Sequence, residues 1–575
     1  MQKVKYEGQE FTPNPYQIKI FENIEHGSSN MVINAVAGSG KSTTIVNALS
    51  LIPSNKKVLF IAFNKDIVES LKKKVGDLPN VDIMTYHSLG YSFVREKIKK
   101  EVEVDEFKYY THVHGTVSRK ENISIRRYQP YLKNIIKLID YSRFNLAQNE
   151  KEVEQVAKKY NVDLIDDECK IVVEVLKWGQ TVTDRIDYTD MIWLPYELDF
   201  KTRIHKYDWI FVDEAQDSSL VQQELFKKCF KRGARFCAVG DSSQCINSWA
   251  GADENAFGKF LKMPNTKEFA LPISYRCPIS VINLAKKIVP QIEAKEGAIL
   301  GEIKYNVNPY NPKPGDMVLC RNTFPLVKLY MEYLRINKKA FIRGRDIGDN
   351  FIDLIDKYNP LNNEMLNKSL VDTGLFRSLY DHLFEVADLL IENNGMVEEE
   401  AYLSEPVMNV YDTIMSLETL SEGLTTVDEL KNKIRTIFSE GANESVCLST
   451  IHKAKGLEAN NVFILAKSLM PSQYARQEWE IKSEENLKYV AITRAKETLQ
   501  YISEDEFRID RGNVLETKVK NKLKDIRQIL GTKPSNIRKT NITILKKTVN
   551  TNNSTTSNTN KKTVGAMKFN KFIKK

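Results

Sequence analysis

Nowhere does the 575-residue chain reach eighteen consecutive apolar residues, and its start, Met1-Gln2-Lys3-Val4-Lys5, lacks an apolar signal region. A soluble protein of the cytoplasm, with no membrane partner, is the expectation. Cysteine is scarce. The seven thiols (169, 229, 237, 245, 277, 320 and 447) include no C-x-x-C pair, which speaks against zinc, an iron–sulfur cluster or a redox centre. They read as small apolar core residues in a reducing compartment. Acidic residues are missing altogether from Gly531 to Lys575, where eleven Lys and Arg stand unopposed. The net charge of +9 therefore belongs to this tail, and the residues before it sum to −2. A nucleic-acid groove, if there is one, must come from local placement of basic and aromatic side chains. Within the tail, Thr551 to Asn560 is built only from Thr, Asn and Ser, which cannot bury a core and should be disordered.

What is present is chemistry at the ends of apolar strands. Met31 to Ile33 runs into Asn34-Ala35-Val36-Ala37-Gly38-Ser39-Gly40-Lys41-Ser42-Thr43 and then into the helix-like Thr44 to Leu51. Strand, loop and helix in that order suit a phosphate-binding loop. Gly38 and Gly40 let successive N–H groups surround phosphate oxygens at a helix N-terminus whose dipole also favours anions. Lys41 would reach the β and γ phosphates and Ser42 would hold Mg²⁺. The first glycine of the general G-x-x-x-x-G-K-[ST] pattern is replaced by Ala35, so the loop needs support from elsewhere. Trp209-Ile210-Phe211-Val212 supplies it by ending on Asp213-Glu214-Ala215-Gln216-Asp217. Asp213 can take a second-shell or water-mediated place on Mg²⁺, and Glu214 can polarise an attacking water. Taken alone, such a pair would read as a solvated loop; beside a phosphate loop it points to a nucleotide hydrolase.

Eight ordered motifs between about residues 14 and 502 together resemble the UvrD-like superfamily 1 DNA helicases, the family of the Rep and PcrA motors. In that family the loop reads A-x-A-G-S-G-K-[ST], which accounts for Ala35. Phe60-Ile61-Ala62-Phe63-Asn64-Lys65 and Thr85-Tyr86-His87-Ser88-Leu89 resemble motifs Ia and Ib. Gly240-Asp241-Ser242-Ser243-Gln244 with Trp249-Ala250-Gly251-Ala252 resembles motif III, and Ser274-Tyr275-Arg276 motif IV. Thr450-Ile451-His452-Lys453-Ala454-Lys455-Gly456-Leu457-Glu458 is similar to motif V, and Tyr489-Val490-Ala491-Ile492-Thr493-Arg494-Ala495 to motif VI.

The resemblance implies roles, residue by residue. Lys41, Asp213, Glu214, Gln244, Arg276 and Arg494 become the catalytic set, with the two arginines as fingers on the γ-phosphate. Either arginine taken singly would read as a surface salt bridge. Gln17, Ala37, Gly38, Ser39, Gly40, Lys41, Ser42, Thr43, Tyr275 and Glu458 would bind ATP, with Gln17 reading adenine, Tyr275 stacking on the base and Glu458 on the ribose. Thr44 stands where relatives often carry an arginine, so one side of the base sandwich is missing. Ser42 and Asp213 would hold Mg²⁺. Phe63, Asn64, Thr85, His87, Trp249, His452 and Lys455 would contact single-stranded DNA through phosphate contacts and base stacking. Phe63 and Trp249 remain open to being core aromatics, and the two histidines to being structural imidazoles. Asn247 and Ala250 occupy places often held by an aromatic and an arginine, so stacking should be weaker than in relatives.

The expected fold class is α/β, with two RecA-like P-loop NTPase cores built on parallel sheets, each carrying a mostly helical insertion. The segments are 1–90 and 204–272 for the first core, 91–203 for its insertion, 273–347 and 444–505 for the second core, and 348–443 for its insertion. A helical extension at 506–530 and a basic disordered tail at 531–575 follow. Strands are expected near Met31-Ala35, Val58-Ala62, Trp209-Val212, Arg235-Val239, Met317-Cys320, Phe341-Arg343, Val446-Ser449 and Val462-Ala466. The function implied is an ATP-dependent single-stranded DNA translocase and helicase, 3′ to 5′, in replication, repair or recombination, in a bacterial or virus-infected cytosol and associated with the nucleoid. Its partners would be single strands, single/double-strand junctions and, through Met567, Phe569 and Phe572 in the tail, a replication or recombination protein. A translocase that strips proteins without much unwinding, and an ATP-switched recruitment factor acting through the tail, stand as alternatives. No nuclease is expected, because the residues after motif VI offer Lys and Asn and no carboxylate cluster.

Overall fold

The computed structural model describes residues 4–531, apart from 7–8, 76–77, 99–100, 122–124, 161, 163, 165–167, 248–250, 254, 360–373, 395, 439–443 and 506–512. The basic tail from 532 onward and Trp249 thus lie outside the described residues.

Two six-stranded parallel sheets organise the chain. The first contains β1 (Asn30–Ala35), β2 (Val58–Ala62), β3 (Val81–Thr85), β4 (Tyr207–Val212), β5 (Phe230–Gly240) and β6 (Thr266–Leu271), in the order β6-β1-β5-β4-β2-β3. Its interior strands carry apolar runs, such as Met31 to Ile33, Val58–Ala62 and Trp209 to Val212, because both faces are covered there. Val32, Leu59, Ile61, Ile210 and Val212 enter one core, while Met31, Ile33, Val58, Phe60, Trp209 and Phe211 enter the other. Alternate residues of one strand therefore feed opposite layers. The register aligns Asn34 with Gly240, Ile61 with Val212 and Ala62 with Thr85, so the functional strand ends open along a single edge. Ligands of open parallel sheets bind at that carboxyl edge.

The second sheet contains β7 (Glu302–Val307), β8 (Met317–Cys320), β9 (Ala340–Arg343), β10 (Val446–Thr450), β11 (Ala459–Ile464) and β12 (Ala495–Ile502), in the order β7-β12-β11-β8-β10-β9. Val318, Cys320, Leu448 and Phe463 face one core; Met317, Leu319, Val462 and Ile464 face the other. The fold is thus α/β with two RecA-like parallel cores. Leu271 ends β6 beside Ala35.

Helices fill both interruptions. Between β3 and β4 run Tyr86–Lys97, Lys108–Glu121, Ile125–Asn145, Glu150–Lys159, Glu168–Thr181 and Tyr188–Glu197. A buried ion network ties them together. Lys108 Nζ donates to Asp190 Oδ2 at 2.6 Å, and Arg143 bridges Asp187 at 2.7 Å and Asp190 at 2.9 Å. Between β9 and β10 run Arg345–Tyr358, Leu375–Asn394, Glu398–Tyr402, Glu405–Leu420 and Val427–Ile437. Helix Asn513–Leu530 is anchored to this group, where Arg527 pairs with Asp388 at 2.6 Å and Glu398 at 3.2 Å.

Candidate active site

The loop between β1 and helix Lys41–Ser50 turns on two residues of positive φ, Gly38 (71°) and Gly40 (74°), a conformation that favours glycine. A Cβ on Gly38 would also come within 2.5 Å of Arg276 Cβ, so the second core closes directly over the loop. Three hydrogen bonds hold that closure. Ala37 N–H donates to Tyr489 Oη at 3.0 Å, Ser274 Oγ donates to the Ala37 carbonyl at 2.8 Å, and Tyr275 N–H donates to the Gly38 carbonyl at 2.8 Å. Val36, Ala37 and Ile246 of the first core accordingly pack in the apolar cluster of the second.

Lys41 leaves the loop toward β4. Its ammonium lies 3.1 Å from Asp213 Oδ1 and pairs with Glu214. Burial alone would lower the lysine, but Asp213 and Glu214 outweigh it and hold the ammonium protonated well above its ordinary value. Burial pushes the Glu214 carboxyl up, yet Lys41 and Lys455 overcome this and bring it down to about 2. Asp213 is shifted upward by burial, only partly offset by Lys41, so of the two carboxyls Glu214 is the one held firmly ionised. Glu214 sits at φ 48° and ψ 42°, a left-handed conformation uncommon outside glycine, and its Oε2 accepts from Gln216 Nε2 at 2.5 Å. Such backbone settings persist where the surroundings over-determine them.

The second core delivers both arginines. Arg494 is fully buried and donates to the carbonyls of Val490 (2.9 Å) and Leu457 (3.1 Å) and to Gln244 Oε1 (3.3 Å). Burial, and then the neighbouring Arg276, lower it to about 10, still protonated at neutral pH. Arg276 donates to Glu458 Oε2 at 2.5 Å and to the Thr493 carbonyl at 3.4 Å. Gln244 in turn donates to Asp241 Oδ2 at 2.8 Å, and burial raises Asp241 to about 6.

The base-side residues meet each other. Gln17 is buried, takes the Asn14 N–H on Oε1 at 3.0 Å and donates from Nε2 to Thr44 Oγ1 at 2.9 Å. Thr44, in the place of the absent arginine, thus orients the carboxamide. Tyr275 is 45% exposed, with its hydroxyl accepting from Asn14 Nδ2 at 2.9 Å. Glu458 is drawn onto Arg276 and Lys496. The residues fit a nucleotide with Mg²⁺: Ser39 Oγ is buried with no hydrogen-bond partner among the described residues, Gly38 and Gly40 take the positive φ that a phosphate loop needs, and Ser42 and Asp213 are oxygen donors suited to Mg²⁺.

The strand-contact candidates divide. Phe63 is 47% exposed and Asn64 also faces solvent, its Oδ1 capping Ile67 N–H at 2.9 Å. Exposed His87, edge-on to Tyr188 at a centroid distance of 6.3 Å, lies beyond the neighbouring strand end. Three candidates are placed otherwise. Thr85 is buried and caps helix Tyr86–Lys97 by accepting Ser88 N–H at 3.1 Å. His452 is lowered to about 3 by burial and by Arg321, Lys453 and Lys455, so it is neutral and cannot bind phosphate as a cation. Lys455, expected on DNA, instead crosses the cleft to Asp217 and donates to the Gln244 carbonyl at 2.8 Å.

Sequence reasoning quoted Gln216, Asp217, Asp241 and Tyr489 inside motifs but gave them no role. Their positions in the recognised motifs were the available signal; Tyr489 and Asp217 meet Ala37 and Lys455 from far off in the chain, while Gln216 and Asp241 also bond the nearby Glu214 and Gln244.

Comparison with known families and proteins agrees with this arrangement. The UvrD/REP helicase N-terminal domain matches residues 17–265, and the UvrD-like helicase C-terminal domain matches 445–500, together more than half of the chain. The ATP-dependent DNA helicase PcrA of Staphylococcus epidermidis RP62A is 23% identical over 82% of this chain and 80% of its own length. The protein of the same name from Staphylococcus aureus NCTC 8325 is 23% identical over 83% of this chain and 82% of its own length.

Proposed function

The chain belongs to the UvrD-like superfamily 1 helicases, and from that premise we propose that it is an ATP-dependent DNA helicase that moves along single strands from 3′ to 5′. The observation that carries the reading is the convergence of Lys41 and Glu214 from one core with Arg276 and Arg494 from the other around a single cleft.

In this reading Lys41 exchanges its carboxylate partners for the β and γ phosphates. Mg²⁺, held by Ser42 and Asp213, would neutralise charge on those phosphates. Freed of Lys41, Glu214 accepts a proton from the attacking water; its low pKa in the lysine-paired state rises once that cation moves away. Arg494 and Arg276 stabilise the negative charge that develops as the phosphoryl group leaves. Gln17, oriented by Asn14 and Thr44, presents its remaining N–H and lone pair to adenine, whose donor and acceptor a single carboxamide matches. Lys455 and Gln244 link the cleft to strand-facing segments, so opening and closing of the cores becomes movement along DNA. Phe63 and His87 offer ring faces to bases. Replication, repair or recombination is the setting in which such a motor acts, in a bacterial or virus-infected cytosol.

The test is unwinding of duplexes with either a 3′ or a 5′ single-stranded overhang, run beside displacement of a bound protein from the same DNA. Unwinding from the 3′ overhang alone supports the proposal. Displacement without unwinding would favour the stripping translocase, and ATP binding without turnover the recruitment factor.

A further inference from the structure

One helix of the second core touches the first core at one end and the first core's helical insertion at the other. Near the C-terminus of helix Glu478–Ile492, Tyr489 meets the phosphate loop, Asn486 Nδ2 donates to the Cys245 carbonyl at 2.9 Å, and Arg494 just beyond reaches Gln244. At the other end, the Trp479 Nε1–H is shared between the Lys159 carbonyl at 2.9 Å and Gln477 Oε1 at 2.6 Å, while Gln477 Nε2 donates to the Lys158 carbonyl at 3.2 Å. Both acceptors lie in the last turn of insertion helix Glu150–Lys159, where the Lys158 carbonyl also takes the N–H of the capping residue Tyr160. The indole also meets Tyr160 edge-on at 6.2 Å, and Tyr160 stacks on Tyr141 at 4.0 Å. Tyr141 shares helix Ile125–Asn145 with Phe144, whose ring lies so close to Gly251 that a Cβ there would fall within 2.5 Å. Gly251 belongs to the segment that follows Gln244. A packed path therefore leads from the nucleotide cleft along the helix, through the insertion, and back to motif III.

We propose that Trp479 is a positioning residue that clasps the insertion to the second core, and that helix Glu478–Ile492, ~22 Å long from its rise per residue, is the beam relaying cleft closure to the insertion. The clasp rests on the motor reading above. Its energetic logic is directional. Closure that pulls Tyr489 and Arg494 onto the first core moves Trp479 with them, because a continuous helix does not shorten, and the insertion follows through Lys159 and Tyr160. Opening releases all three together.

The experiment compares wild type, Trp479→Ala, Tyr160→Ala and the double variant in ATP hydrolysis titrated with oligothymidylate. Loss of one indole hydrogen bond and one aromatic contact should raise the half-saturating strand concentration roughly five- to tenfold. Strand-free turnover and the KM for ATP should stay within about twofold of wild type, a split that general unfolding would not produce. The double variant should be no worse than either single one, and Trp479→Phe should be intermediate. An unchanged half-saturation in Trp479→Ala, or defects that multiply in the double variant, would overturn the clasp. Wild type without any strand stimulation would instead defeat the motor reading. Hydrogen exchange then decides the clasp on its own: faster exchange across Glu150–Tyr160 in Trp479→Ala, with β10 unchanged, supports it, and unchanged exchange at Glu150–Tyr160 refutes it.

Discussion

Replacing Glu214 by Gln removes one charge and almost no volume, so its consequences can be worked from the contacts. The carboxylate pairs with Lys41, accepts from Gln216 at 2.5 Å and is held at about 2 against an ordinary glutamate value near 4.5. That depression corresponds to roughly 3 kcal/mol in favour of the folded, nucleotide-free cleft. Because the folded value is the lower one, the contribution is complete above about pH 4.5 and fades as pH falls toward 2. Glu214→Gln should therefore be less stable than wild type at pH 7, with the gap narrowing below pH 4.5. Turnover should move differently. Without a base to take the proton of water, strand-stimulated hydrolysis should fall on the order of 10²-fold or more. Nucleotide affinity should hold or tighten, since Lys41 keeps only Asp213 as competitor for the phosphates. Steady-state phosphate release measures the first and a fluorescent ATP analogue the second. Turnover within a factor of two of wild type would refute the assignment of Glu214 as base.

Asp190→Ala should cost ~3 to 5 kcal/mol, because Lys108 and Arg143 would be left buried with a carboxylate missing; urea unfolding of the full chain should show the helical insertion melting early. Burial raises Asp241 to about 6, so the folded state holds the proton more tightly and loses stability as pH rises from about 3.8 through 6. Asp241→Asn should consequently lose less stability than wild type between pH 5 and pH 8, by about 1 kcal/mol in thermal or urea unfolding. Truncation after Leu530 removes the unopposed basic tail, and a tether acting on phosphates predicts a shallower dependence of strand affinity on salt with the maximal ATPase rate retained. An unchanged slope would reject the tether, and pull-downs with Phe569 and Phe572 replaced by Ala would then test docking to a replication or recombination protein.

The fold was legible where strands are buried on both faces. Met31-Ile33, Val58-Ala62 and Met317-Cys320 are uninterrupted apolar runs, and each lies in an interior strand of its sheet. Thr266–Leu271 and Glu302–Val307 were not read as strands, because these edge strands carry Lys and Glu on faces open to water. Strand Val81–Thr85, with Asp82 inside it, escaped for a similar reason. In the site, the phosphate loop and the strand-end carboxylates pointed to Lys41 and Glu214, whereas Arg276 and Arg494 were legible only through the family resemblance. Pairings across the cleft were not legible. Lys455 looks like a phosphate ligand in a basic motif, and only the folded chain brings Asp217 to it. The helix cap formed by the Thr85 hydroxyl is likewise visible only in the folded chain.

The most direct measurement of the central claim is the rate of ATP hydrolysis by the full chain as single-stranded DNA is added, compared with Lys41→Ala. An ATP-driven strand motor predicts a saturable rise in turnover with oligothymidylate concentration that the Lys41 variant lacks. A wild-type rate that stays flat across the titration, or a Lys41→Ala rate that rises with it, would contradict the account.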